Sequence, residues 1–292
     1  MQRMGASYPK VPMIRVELVK LVRRPRTWAS ILLLCALPTV VAVFIAVTHV
    51  APAPGQGPAL LSAVLSNGTL YPAAALALVL PIFLPIAVSI MAGDAIAGEA
   101  ASGMLRYLLV RPVGRTRLLV AKLISVITYV LGAVVLVAVT GYATGAGLFG
   151  TRPLLVTPHG LAAPGVATSL SGTPMTPADI AMRTLGAVAF IGVSMLGVAA
   201  IALFLSTLTD SSLGAALGAL AALITSGVLV ALNSAAAVSP YLPTRYWLAW
   251  ADYFREPILW RNIERGFAIQ GIYVVVFVAA AWANFASKDV TS

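Results

Sequence analysis

Residues 27–50 read TWASILLLCALPTVVAVFIAVTHV, 24 positions without one charged side chain, preceded by 26 residues that carry seven lysines and arginines. A helix rises about 1.5 Å per residue and the hydrocarbon core of a bilayer is about 30 Å thick, so about 20 apolar residues cross it. The run is long enough. It also exceeds the roughly 7 to 15 apolar residues of a secretory signal, so it is expected to remain as a membrane span rather than be removed.

Five more stretches pass the same test, at 71–92, 118–141, 184–208, 211–238 and 266–286. The whole chain of 292 residues is 60% apolar and 10% charged, with a mean hydropathy of +0.96. Such a composition belongs to polytopic membrane proteins. The expected fold is all-α, one transmembrane domain over 1–292 with six spans. Pro72, Pro81 and Pro85 should kink the second span, which a helix bundle tolerates when neighbours satisfy the freed carbonyls. The net charge of +10 then speaks of anionic headgroups and topology, and nucleic acid is excluded as a partner.

Orientation follows from the distribution of basic residues. Arg3, Lys10, Arg15, Lys20, Arg23, Arg24 and Arg26 precede the first span, and Arg106, Arg111, Arg115, Arg117 and Lys122 lie between or beside the second and third. With six spans these share a side with Lys288, thirteen in all, against six on the other side (Arg152, Arg183, Arg245, Arg255, Arg261, Arg265). Both termini are therefore expected in the cytoplasm. The lead-in at 11–26 reads as a helix at the cytoplasmic interface. The turn STLTDSS between the fourth and fifth spans must be tight, with Thr209 or Asp210 as cap.

On the outer side, 142–179 holds Pro153, Pro158, Pro164, Pro174 and Pro177 and reads as a long loop. Its end, TPAD, should restart a helix, with Thr176 as cap, Pro177 at the first position and Asp179 completing a capping box. Residues 241–265 are expected to form interfacial helices, with Trp247, Trp250 and Phe254 on one face together with Ala251. They could serve as an outer gate or as an aromatic belt at headgroup level. Gly214 and Gly218 form a G-x-x-x-G pair that lets helices approach closely, within one subunit or between two.

Several functions lack their residues. The middles of the six spans hold no ionisable group, so an ion-driven carrier, a voltage sensor or an intramembrane protease would be hard to build. Cys35 lies alone in an apolar run and reads as packing, while His49 and His159 have no metal-binding spacing. No lysine follows a glycine, so the phosphate cradle G-x-x-x-x-G-K-[ST] is missing and ATP cannot be hydrolysed by that route. A transport function would need energy from a partner.

One stretch breaks the apolar pattern, AGDAIAGEAASGMLRYLLVRPVGR at 92–115. A helix from Asp94 to Leu109 would place Ile96, Ala100, Gly103, Met104, Tyr107 and Leu108 on one side and Glu99, Ser102 and Arg106 on another, ended by Arg111-Pro112. Anionic lipid accounts for the arginines but would repel Asp94 and Glu99. A protein partner accounts for both.

The run DAIAGEAASGMLRYLLVRPVGRTRLLVAK resembles the first cytoplasmic loop of the permease subunits of type-2 ATP-binding-cassette exporters. Asp94, Gly98, Glu99, Gly103, Leu105, Arg106, Leu108, Leu109, Arg111, Pro112, Arg115 and Lys122 match that pattern. Met104 stands where the family commonly has Thr, and Gly114 where it often has Ser. The amphipathic lead-in, the six spans, the aromatic element before the sixth and the SKDV tail agree with it.

The resemblance implies a permease subunit in the bacterial cell membrane that pairs with a second copy or a homologue and with two copies of a separate ATPase subunit. This chain would hold no cofactor, ATP and magnesium being bound by that partner. The loop at 94–112 would be a coupling helix seated in a cleft of the ATPase. Glu99 and Arg106 would make polar contacts there while Met104, Tyr107 and Leu108 fill the groove, with Asp94 and Arg111 beside them. An uncharged path suits export of a hydrophobic or amphipathic cargo such as a drug, peptide or lipid. The competing readings are a self-contained secondary carrier or channel and a membrane enzyme, neither of which finds its residues here.

Overall fold

The structure is a computed structural model that describes residues 13–50, 60–61, 64, 67–101, 115–151, 167–232 and 236–287. Among these residues eight α-helices form and no strand does. They are α1 Met13–Arg23, α2 Pro25–Thr48, α3 Tyr71–Val79, α4 Phe83–Ala101, α5 Arg115–Phe149, α6 Pro177–Leu208, α7 Ser212–Ala231 and α8 Trp260–Ser287. Six of them, α2 and α4 to α8, are long and apolar enough to cross a membrane. The chain is a multi-pass membrane protein.

The helix ends follow local chemistry. Arg24 is extended and Pro25 opens α2, because proline fits the first turn where its missing N–H is not needed. The second expected span is broken as its prolines predict. The helix stops at Val79, turns through Leu80, Pro81 and Ile82, and resumes at Phe83. The expected capping box closes α6, with Thr176 Oγ1 accepting from Asp179 N at 3.1 Å and Thr176 N donating to the Asp179 carboxylate at 3.0 Å. Helix α7 is capped by Ser211, not by Thr209 or Asp210. Ser211 Oγ accepts from Gly214 N, while Thr209 Oγ1 accepts from Ser211 N inside the turn.

Some bounds differ from expectation. Helix α5 continues eight residues past 141, so the long loop begins after Phe149, and α8 starts at Trp260 rather than 266. At 35 residues α5 is about 52 Å long, more than the hydrocarbon thickness, and nothing in its sequence before Gly150 stops the helix. Helix α7 ends at Ala231, short of 238. The segment 152–166 of the loop lies outside the described residues.

Helix α6 is the hub, packed on α4, α5, α7 and α8, while α2, α7 and α8 keep broad exposed apolar faces. Helix α3 is buried almost throughout, between α2 and α5. Close approach is made by glycine at two crossings. A Cβ on Gly68 would fall about 2.0 Å from Gly145 O of α5, and one on Gly93 of α4 would fall 3.0 Å from Ala216 N of α7. Hydroxyls within the spans bond back along their own helices, as Thr39 to Cys35 O and Ser194 to Phe190 O do. Cys35 packs, half-buried, against the core.

Helix α1 inverts the usual amphipathic arrangement. Glu17 is buried against the bundle while Ile14, Val16, Val19 and Val22 are exposed. Outward valines beside Arg15 and Arg23 suit a helix whose outer face meets lipid.

Candidate functional site

Where α1, α4 and α5 meet, four charged side chains close a ring. Glu17 and Lys20 stand three apart on α1, Glu99 lies near the end of α4, and Lys122 lies seven residues into α5. Lys20 Nζ is 2.9 Å from Glu17 Oε1 and 3.1 Å from Glu99 Oε1, and Lys122 Nζ is 2.7 Å from Glu99 Oε2 and 3.7 Å from Glu17 Oε2. Lys122 is 2% exposed, Glu99 3% and Glu17 6%. Ions this deep are stable only when paired, and here two acids face two bases. Burial alone would lower the pKa of Lys20, but its hydrogen bonds and charge contacts with Glu17 and Glu99 outweigh that and raise it above its ordinary value of 10.5.

Beside the ring is a small cavity of about 30 Å³ in which Glu17, Lys20, Arg24, Lys122, Ser125 and Tyr129 line one part and Leu21, Met91, Ala95 and Val126 the rest. Tyr129 also shares a 2.8 Å hydrogen bond with Ser30, which ties α2 to α5.

A second set of pairs sits one turn earlier on α4. Arg24 Nη1 is 3.0 Å from Asp94 Oδ2, and Arg26 Nη1 is 3.9 Å from Oδ1. Gly98 leaves the space this carboxylate occupies, since a Cβ there would meet Asp94 Oδ1 at 2.2 Å. Between Asp94 and Glu99 the hydroxyl of Ser206, from α6, enters the helix. It donates to Gly93 O at 2.6 Å and accepts from Ile96 N and Ala97 N. Gly93 O and Ala97 N are a normal i to i−4 pair, so a side chain has been placed into the ladder, a recognised cause of bending.

These contacts revise the exposed docking face expected of Asp94 and Glu99. Both belong to α4, the continuation of a span, and Glu99 is turned inward onto Lys20 and Lys122 instead of outward. A carboxylate in an apolar bundle is stable there only beside cations, and α1 and α5 supply them. Met104, Arg106, Tyr107, Leu108 and Arg111 lie outside the described residues. Glu17, Lys20 and Lys122 had not been singled out as partners. The available signal was that Glu17 is the only carboxylate before Asp94, within an otherwise basic lead-in.

At the opposite end, Trp247, Trp250 and Phe254 lie on one 3-10 helix, Trp247–Phe254, and all three are buried. Their rings pack inward, Trp250 edge-on to Phe254, where the segment covers the ends of α6 and α8. This corrects the reading of a headgroup-level belt. Beside the segment, Gly186 leaves room for the ring of Tyr253 and Gly266 for that of Phe190. Asp252 anchors the segment through Arg255 and Asn262, at 2.9 Å each. Of the glycine pair, Gly218 meets Leu205 of α6, whereas Gly214 is exposed beside its own cap, Ser211. The backbone of α7 comes close to α4 at Ala216 and Ser212, which face Gly93.

Among the described residues no group of three histidine, cysteine or acidic side chains could hold a metal ion. The ring is a mechanical joint in its chemistry, since it fixes the end of α4 to the start of α5 and both to α1. Helix α4 ends at Ala101, two residues past Glu99, and α5 begins at Arg115, seven residues before Lys122.

Residues 62–291 match the family described as Protein of unknown function (DUF2705). No curated protein matches the chain.

Proposed function

The chain belongs to the DUF2705 family, and we propose that it is the transmembrane permease subunit of a type-2 ATP-binding-cassette exporter in a bacterial cell membrane. Both termini face the cytoplasm, and a separate ATPase subunit docks on 94–112, at the residues beyond the inward-turned Glu99, and supplies the energy. The observation that carries this reading is the joint. The acid and the lysine of the loop pattern, Glu99 and Lys122, meet at 2.7 Å across the two helices that lead into and out of the loop. A pull on 102–114 would therefore move α4, α5 and α1 together instead of being absorbed in slack chain. The excess of basic residues on that side supports its cytoplasmic placement. The apolar spans support a hydrophobic or amphipathic cargo, carried by a pair of such subunits.

The test is co-expression with an ATP-binding-cassette ATPase encoded beside the gene. The wild-type chain should co-purify with it and stimulate its ATP hydrolysis in vesicles, and Met104→Ala with Tyr107→Ala should lose both while the chain stays folded. Retention of the complex and of stimulation by the double variant would overturn the docking role. ATP hydrolysis by the chain alone, or transport driven by an ion gradient without any ATPase, would overturn the division of labour.

A further inference from the structure

Along one face of the bundle, helices α5, α6 and α8 leave a gap between them. Ala199 and Ala200 of α6 are too small to fill the gap between Leu123 and Ile127 of α5 and Val278 and Trp282 of α8, which leaves an apolar groove of about 470 Å³. From Leu119 to Ile127 it runs about 12 Å along α5, close to half of a hydrocarbon core about 30 Å thick. The groove is as deep as one leaflet, the leaflet on the α1 side.

The ends of α5 and α8 beside it are polar, and α5 carries two arginines there. Trp282 Nε1 donates to Thr116 Oγ1 at 3.2 Å across the entrance, and Arg115 Nη1 donates to Ala286 O at 2.9 Å. At about 100° per residue, Arg115 and Arg117 flank Thr116 on either side of the face that lines the groove. Arg117 is exposed. No acid occurs in 115–118 or 282–287, and Lys288 and Asp289 beyond them cancel. An apolar slot one leaflet deep under two arginines and a tryptophan complements one kind of molecule, a phospholipid with a negative headgroup.

We propose that this groove binds an anionic phospholipid, one acyl chain between α5 and α8 and its phosphate at Arg117 and Arg115. The site does not depend on any transport activity. The full chain is reconstituted in phosphatidylcholine vesicles that contain chain-brominated phosphatidylglycerol or, separately, chain-brominated phosphatidylcholine. The signal from Trp282 is taken as the difference between wild type and Trp282→Phe. Phosphatidylglycerol should quench it at a mole fraction about fivefold lower than phosphatidylcholine, the weight of one basic residue at an anionic surface. Arg117→Gln should bring the two curves together and Arg117→Lys should keep them apart. Ala279→Phe, at an exposed position of the groove, should weaken quenching by both lipids. Equal curves for the wild type, or a preference that survives Arg117→Gln, would reduce the groove to ordinary lipid contact and overturn the proposal. So would a Trp282 that neither lipid quenches together with disulfide linkage between chains through Val275→Cys, because a second copy would then fill the groove.

Discussion

Removing one member of the charge ring tests whether it holds α1, α4 and α5 together. In Glu99→Ala, Lys122 remains 2% exposed and loses the partner 2.7 Å away, leaving Glu17 at 3.7 Å as its only described counter-ion. An ion left this way in a buried site costs about 3–5 kcal/mol, roughly two to four orders of magnitude in the folding equilibrium. Replacing both, as Glu99→Met with Lys122→Met, should return stability to within about 1 kcal/mol of wild type, since apolar residues of similar size substitute well for a buried pair. Glu17 and Lys20 retain each other at 2.9 Å in that variant. Asp94→Ala is the contrast, because its partners Arg24 and Arg26 have side chains 39% and 78% exposed and its loss should cost less than about 1 kcal/mol. The assay is unfolding of the purified chain in mixed micelles of increasing dodecyl sulfate fraction, followed by helical circular dichroism. A cost below about 1 kcal/mol for Glu99→Ala, or a double variant no more stable than the worse single one, would refute the reasoning.

Three other outcomes are expected. Gly197→Ala should cost about 1–3 kcal/mol in the same assay, because its Cβ would fall 2.1 Å from Gln270 Oε1 while Gln270 is held by its bond to Pro243 O; adding Gln270→Ala should cost less than the sum of the two singles. Thr176→Ala removes the capping box and should lower the stability of the first turns of α6 by about 1 kcal/mol, seen as faster hydrogen exchange there and not elsewhere. The raised pKa of Lys20 means its pairing contributes fully below its ordinary value of 10.5 and is lost only as pH climbs through the higher folded value. Proteolysis at α1 should thus be flat from neutral pH to about 10 and rise beyond it, while Lys20→Met should show no such rise.

The spans were legible because each depends on about 20 consecutive residues, and the six apolar runs reappear as α2 and α4 to α8, with α3 the first part of the second. Ends were legible where the signal was local, as in the Thr176 and Asp179 cap, and not where a helix outruns the bilayer, as α5 does to Phe149. The charge ring could not be read because its members lie at 17, 20, 99 and 122, and nothing in a single stretch says that Glu99 turns inward. The aromatic segment failed for a related reason. A periodic row of Trp247, Trp250 and Phe254 shows that the rings share a face, but whether lipid or protein meets that face depends on elements distant in sequence, here α6 and α8, on which the segment packs.

The four side chains of the ring carry two positive and two negative charges. Moving one elementary charge through a membrane potential exchanges about 2.3 kcal/mol per 100 mV. A set that sums to zero and moves as a unit exchanges none. The four side chains therefore add nothing to the energy that the membrane potential exchanges with a displacement along the membrane normal, and any voltage dependence of such a movement comes from the charges outside the ring.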